Sequence, residues 1–285
     1  MNKLDTVLVA TDLSDGARLA ALRGAMQARA AGARSGVLLH VSPESGLSPE
    51  VEQRASAALE QELSALAAQV REQTGFALEP QLRHGATLEQ IALAAGDADL
   101  LVIGAQGMHP LRDFAIGSTA DRLLRTCPRP VLVVKRRPEA PYREVLVPVD
   151  FSADSRAAAA LAVQVAPSAQ LTLMHAFEVA FERKLRFAGT PDEQIHALRS
   201  QARERARADM ETMIAELGIA RGNVSRLIEH GYPPRIISEA EARAGADLIV
   251  IGKHGRSRFE EMLLGSITLH VMAEAGCDVL AVRGA

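Results

Sequence analysis

The sequence predicts an α/β protein built as two tandem doubly wound domains. Each is expected to carry a five-stranded parallel sheet in the order 3-2-1-4-5 with about four helices. Three observations predict it. The chain repeats itself once, at a period near 140 residues; short apolar runs alternate with amphipathic helical stretches inside each copy; and 285 residues, 48% of them hydrophobic, are enough for two full cores. The boundaries read as residues 1–138 and 139–285, with the charged, proline-containing stretch 135–141 (KRRPEAP) as linker.

The repeat shows as ordered pairs of segments. VLVATDLS (7–14) returns as VLVPVDFS (145–152), LLHV (38–41) as LMHA (173–176), and RHGA (83–86) as EHGY (229–232). ADLLVIG (98–104) returns as ADLIVIG (246–252), and CPRPVLVV (127–134) as CDVLAVRG (277–284), which puts Cys127 and Cys277 at matching positions. The spacing between copies grows from 138 residues at Asp12 and Asp150 to 148 at Gly104 and Gly252, so the second copy holds about ten extra residues, placed in 176–194. One repeat of this length is a duplicated domain, not a solenoid.

Taken in order, Val7–Ala10, Gly36–Val41, Ala77–Leu82, Leu100–Gly104 and Val131–Val134 are short apolar runs of the length of fully buried parallel strands. Between them, residues 51–72 place Val51, Ala55, Leu59, Leu63, Leu66 and Val70 at spacings of three and four. In the second copy Ile195, Leu198, Ala202, Ala206, Met210, Met213 and Leu217 repeat that pattern, and the Arg-rich run 199–207 reads as its solvated face. Thr87 with Gln90 three residues on reads as a capping box, and Pro128 ends the last helix of the first copy. Val131–Val134 and Val279–Val282 would be apolar open edges unless paired with each other, so a pseudo-two-fold, intramolecular dimer is expected, with a further homodimer left open.

The chemistry concentrates in a glycine pattern present once per copy. Gly104 and Gly107 are followed after nine residues by Gly117 and Ser118; Gly252 and Gly255 are followed after nine by Gly265 and Ser266. Each pattern starts where an apolar strand ends and finishes where a helix begins. Glycines let backbone N–H groups approach an anion with no Cβ between them, and a helix N-terminus adds unpaired donors and a positive dipole end. Neither common nucleotide signature, G-x-G-x-x-G after the first strand or G-x-x-x-x-G-K-[ST], occurs. In the order 3-2-1-4-5 the ends of strands one and four flank the switch point, where open sheets bind ligands. Asp12 and Asp150 end strand one, and a carboxylate there suits a ribose hydroxyl, an adenine amino group or a phosphate-bound Mg²⁺. Turn glycines and an Asp-x-Ser helix cap account for the same residues without a ligand.

The G-x2-G-x9-G-[ST] spacing, the opening V-L-V-x-x-D-x-S strand and the second-strand L-x-H together resemble the universal stress protein family in its tandem form, over nearly the whole chain outside the linker and the inserted stretch. The resemblance implies ATP as ligand, with Mg²⁺ as a candidate companion. By position it implies Asp12, Val41, Gly104, Gly107, Gly117 and Ser118 as nucleotide-binding residues in the first half. In the second half it implies Asp150, Ala176, Gly252, Gly255, Gly265 and Ser266. The family also holds members without the glycine pattern that bind no ATP.

This chain departs from the family pattern in part. Ala10 stands where the second half has Pro148, the commoner family choice. Arg256 and Lys253 face Met108 and Ala105 in the first half; a cation beside a phosphate cradle favours a triphosphate, so the second half is expected to bind more tightly, with Arg112 narrowing the difference if it reaches the first site. Solvated surface charge is the competing reading of Lys253 and Arg256.

Composition excludes several classes. With 32 basic against 35 acidic residues and 3% aromatics, neither a polybasic nor a base-stacking nucleic-acid binder is expected, and Lys135, Arg136 and Arg137 read as linker charge. Two cysteines and no metal-ligand spacing predict neither a disulfide scaffold nor a metal site. No apolar run has the length of a membrane span or a signal-peptide core, so a soluble, cytoplasmic protein is expected. His40, His84, His175 and His230 read as structural, and no general base or acceptor motif assigns catalysis. The expected role is a cytoplasmic regulatory binder of adenine nucleotide in the stress response; an interaction module with empty crevices and unknown protein partners, and a slow ATP-using enzyme, stay open as alternatives.

Overall fold

In the computed structural model, which describes residues 4–44, 46, 48–106, 116–218, 223–255 and 264–284, strands and helices alternate through both halves. The first half runs β1 (Thr6–Thr11), α1 (Asp15–Ala31), β2 (Ser35–Ser42), α2 (Pro49–Thr74), β3 (Glu79–His84), α3 (Thr87–Gly96), β4 (Leu100–Gly104), α4 (Ser118–Thr126) and β5 (Val131–Val134). The second runs β6 (Glu144–Pro148), α5 (Ala153–Val165), β7 (Gln170–Phe177), α6 (Glu182–Phe187), α7 (Asp192–Leu217), β8 (Val224–His230), α8 (Pro233–Ala244), β9 (Leu248–Gly252), α9 (Ser266–Glu274) and β10 (Asp278–Val282). The short α6 lies in the inserted stretch and gives the second half one more helix than the first among the described residues.

All ten strands form one sheet, ordered β3-β2-β1-β4-β5-β10-β9-β6-β7-β8. Each half is therefore parallel and ordered 3-2-1-4-5, as expected. Residue alternation along the strands fills a core on each face. Val7, Val9, Leu100 and Val102 pack under α1 and α2, while Leu8, Leu101 and Ile103 pack with Ile91 of α3 and Leu123 of α4. Some helices end on a left-handed glycine: α1 stops at Gly32 (φ 66°) and α2 at Gly75 (φ 72°).

Two local expectations fail. Strand β3 starts two residues later than its apolar run, because Leu78 turns into the core and the strand that follows lies at the sheet edge, half-covered rather than fully buried. Pro80 sits within it, which an edge strand tolerates. No capping box forms at α3: Ala86 is the N-cap, with no side-chain cap hydrogen bond, and Thr87 is already helical.

The halves join through β5 and β10, which pair antiparallel with Leu132 opposite Leu280. Beside this seam Asp278 is 1% exposed and fully used. Its Oδ1 accepts from the backbone N–H groups of Lys135 (2.8 Å) and Arg136 (3.1 Å), and its Oδ2 from the Tyr142 hydroxyl (2.7 Å). Arg23 lies 3.2 Å from Oδ2 and stacks 4.0 Å from the centre of the Tyr142 ring. Burial, reinforced by Asp278, pushes the Tyr142 hydroxyl well above its usual range. The linker is thus pinned at both ends. Lys135 is no solvated linker charge: its ammonium donates at 2.7 Å to the carbonyls of both Met272 and Ala275.

Candidate functional site

Each half builds the same turn after its first strand. Asp12 Oδ1 accepts from the Ser14 backbone N–H (3.1 Å) and hydroxyl, and Ser14 Oγ accepts from the Ala17 N–H at 3.3 Å, capping α1. Asp150 Oδ1 accepts from Ser152 N–H (3.0 Å) and Oγ–H (2.6 Å), and Ser152 caps α5 through Ser155 N–H at 3.2 Å. The intervening Leu13 and Phe151 both have φ of 64°, a strained conformation for a side chain with a Cβ, reproduced in both copies. A histidine from the second strand fixes each turn. His40 Nδ1 donates to Thr11 O at 2.8 Å and His175 Nδ1 to Val149 O at 2.7 Å; a carbonyl can only accept, so the proton is on Nδ1. Each histidine thus ties the end of the second strand to the end of the first.

The two parts of each glycine pattern meet although nine residues separate them. Gly117 N–H donates to Ala105 O (2.9 Å) and Gly265 N–H to Lys253 O (2.8 Å), so the strand end and the N-terminus of α4 or α9 form one cradle per half. Neither helix has a side-chain N-cap, Gly117 and Gly265 occupy that place, and Ser118 and Ser266 are exposed in the first turn. The first-turn N–H groups therefore have no side-chain partner supplied by the cap, which is the arrangement an anion uses.

The glycines divide by cause. A Cβ on Gly104 would stand 3.0 Å from Gly16 backbone, and one on Gly252 would stand 2.9 Å from Asp154 Cβ; both serve the close approach of α1 or α5 to the strand. Gly255 is different. A Cβ there would stand 3.1 Å from Asp150 Oδ2, so in the second half the glycine turn lies directly against the carboxylate that ends strand one. Val41 is buried near the end of β2 and Ala176 half-buried near the end of β7, on the side of the sheet that α3 or α8 covers. Gly107 and Arg256, together with Met108 and Arg112, lie outside the described residues.

Two features escaped the sequence. Lys253 is neither a phosphate ligand nor surface charge. It is 2% exposed, and its Nζ donates to Cys127 O at 2.6 Å and to Arg129 O at 3.2 Å, in the other half. Burial lowers its pKa to about 8. Asp154 is the second: its Oδ2 accepts from both N and Nδ1 of His254 at 2.9 Å, and its Oδ1 from Gly284 N–H at 2.8 Å. The first half has Gly16 and Gln106 there, so comparison of the copies gave no signal. The cysteines do not match as aligned. The β-ladder makes Val131 equivalent to Val279, which puts Cys127, the C-cap of α4, opposite Ala275, the C-cap of α9, and leaves Cys277 two residues further on. Both thiols are buried and free, and burial pushes Cys277 up.

Among the described residues no group of three or more His, Cys, Asp or Glu is placed to hold a metal, and no helix is long and apolar enough to cross a membrane.

Comparison with known proteins agrees with this geometry. A model of the universal stress protein family matches residues 3–135 and again 141–283. A universal stress protein of Mycolicibacterium smegmatis is 28% identical over 247 residues, covering 81% of this chain and 78% of the relative. One from Methanocaldococcus jannaschii is 28% identical over 154 residues, covering 50% of this chain but 95% of its own length, as a single copy would. The crystal structure of a universal stress protein from Archaeoglobus fulgidus shares the fold with a TM-score of 0.75 at 22% identity, covering 99% of each chain.

Proposed function

The chain belongs to the universal stress protein family, and from that premise we propose that it binds an adenine nucleotide, ATP, in the crevice of one or both halves and acts as a regulatory binding protein in the stress response. The approach of Asp150 Oδ2 to Gly255 carries the reading: a carboxylate suited to ribose or adenine lies beside the glycine turn whose backbone donors suit phosphate. The Asp turn, the Gly265–Lys253 hydrogen bond and the helix N-terminus supply the remaining parts. The same parts, apart from residues outside the described ones, recur in the first half.

Regulation through binding fits better than catalysis. Tight binding of phosphates does not by itself accelerate hydrolysis, which requires the transition state to be held more tightly than the ground state. Native mass spectrometry of the full chain, freshly purified, tests the proposal by asking which small molecule it carries. Calorimetric titration with ATP and with GTP follows. A bound adenine nucleotide, or ATP binding well ahead of GTP, supports the reading; no nucleotide mass and no heat with either overturns it.

A further inference from the structure

Two lysines, Lys253 buried and Lys135 half-buried, cross the seam in opposite directions, and each ends on the helix that closes the other half's cradle. Lys253 lies inside the second half's glycine pattern, between Gly252 and His254. Its ammonium bonds the carbonyls of Cys127 and Arg129, at the C-terminal end of α4. The other end of α4 is Gly117 and Ser118, the first half's cradle. Lys135 follows β5, whose last residue, Val134, accepts from Ala105 N–H of the first half's glycine pattern at 2.9 Å. Its ammonium bonds the carbonyls of Met272 and Ala275 at the C-terminal end of α9, and α9 begins at the second half's cradle. Cys127 and Ala275 are equivalent C-caps, so both halves receive an ammonium at the same place, although the lysines that deliver it are not equivalent: Lys253 aligns with Ala105, and Lys135 with Arg283.

Building on the nucleotide reading above, we propose that Lys253 and Lys135 couple the two cradles, so that a nucleotide bound in one half orders the helix that presents the donors of the other. The physical basis is short and stiff. Each helix has nine residues, so its two ends are about 13 Å apart at ~1.5 Å per residue, and one hydrogen-bond ladder connects them. An ammonium on the carbonyl end neutralises the negative pole of the dipole whose positive pole faces the phosphate site. Withdrawing Lys253 would leave the buried Cys127 carbonyl without its ammonium, and withdrawing Lys135 would take the ammonium from two part-buried carbonyls. The loop end is held as firmly: Lys253 N–H donates to Val282 O (2.7 Å), Lys253 O accepts from Gly265, and neighbouring His254 is held twice by Asp154. A ligand that shifts this loop shifts Lys253 with it, and through it the end of α4.

The test uses the full chain with one cradle weakened by Ser118→Asp, at ATP concentrations that titration calorimetry shows to fill the second half alone, and reads amide hydrogen exchange in α4 with and without ATP. The coupling predicts that ATP slows exchange in the last turn of α4 by about fivefold or more, and that adding Lys253→Met abolishes the slowing while calorimetry still records ATP binding. The reciprocal arm uses Ser266→Asp, reads α9 and adds Lys135→Met, and it decides the matter if Lys253→Met does not fold or if only the first half takes ATP. Exchange in the distant helix that stays unchanged while ATP binds overturns the coupling and leaves the nucleotide reading intact. Slowing that persists without the lysine overturns the assigned route. Absence of ATP binding in the unsubstituted chain overturns both.

Discussion

Replacing Ser266 by Asp separates a helix cap from an anion site, because both readings allow a more stable helix but only the anion site predicts a loss of ATP affinity. Ser266 is exposed, it is the first residue of α9, and no side chain caps that helix. If the pattern Gly265-Ser266 only starts a helix, a carboxylate there interacts favourably with the positive end of the dipole and stabilises by about 0.3–1 kcal/mol, raising Tm by roughly 1–3 °C for a domain of this size. If a triphosphate sits on the same N–H groups, the added charge faces it across a few ångströms of partly wet crevice. Between the water and near-surface limits, a unit charge about 4 Å away costs ~1–4 kcal/mol, so a loss of about 5- to 900-fold in ATP affinity is expected. Titration calorimetry at fixed Mg²⁺ measures it, with melting curves on the same samples. Ser266→Asn, isosteric and neutral, should lose far less, and the difference between the two variants should shrink as salt rises. A Ser266→Asp protein that melts higher and binds ATP within twofold of the unsubstituted chain would refute the cradle.

The glycines should separate in the same way. Gly252→Ala forces a Cβ to within 2.9 Å of Asp154 and is expected to destabilise by about 1–3 kcal/mol in urea unfolding, whereas Gly255→Ala meets only Asp150 Oδ2, at 3.1 Å, and should reduce ATP affinity with little change in stability. Asp278→Asn leaves Arg23 buried without its counter-charge and should cost ~3–5 kcal/mol, read from the urea midpoint. Lys253 gives a pH signature against Lys253→Met. With its pKa lowered to about 8 by burial, and ordinary in the unfolded chain, the folded protein carries an unfavourable charge below about pH 8 and sheds it first as pH rises. Stability relative to Lys253→Met should therefore rise by up to about 3 kcal/mol between about pH 8 and 10.5; a flat difference would show that the ammonium titrates normally. On ligand affinity, the expectation that the second half binds more tightly loses Lys253 as a support and rests on Arg256 alone.

The strands were readable because a parallel sheet buried on both faces writes itself as uninterrupted apolar runs, and this failed only at β3, where one neighbour is missing and the run of apolar residues no longer marks the strand. The Asp turns and the glycine pattern were readable because the duplication kept them: Leu13 and Phe151 share a strained φ that only a common turn explains. Lys253 was not readable, for a physical reason. A lysine beside a glycine cradle suggests a phosphate partner only if the side chain ends near its own backbone, and this one ends on carbonyls 126 and 124 residues away in sequence. Comparing the copies misled further, since residues that bridge the seam differ between them: Ala105 against Lys253, Lys135 against Arg283, Arg23 against Leu161. Two identical chains joined across such a seam must use the same residue twice. Once the halves are fused, each side of the seam is free to change alone, and an ammonium can reach both cradle helices from positions that are not equivalent.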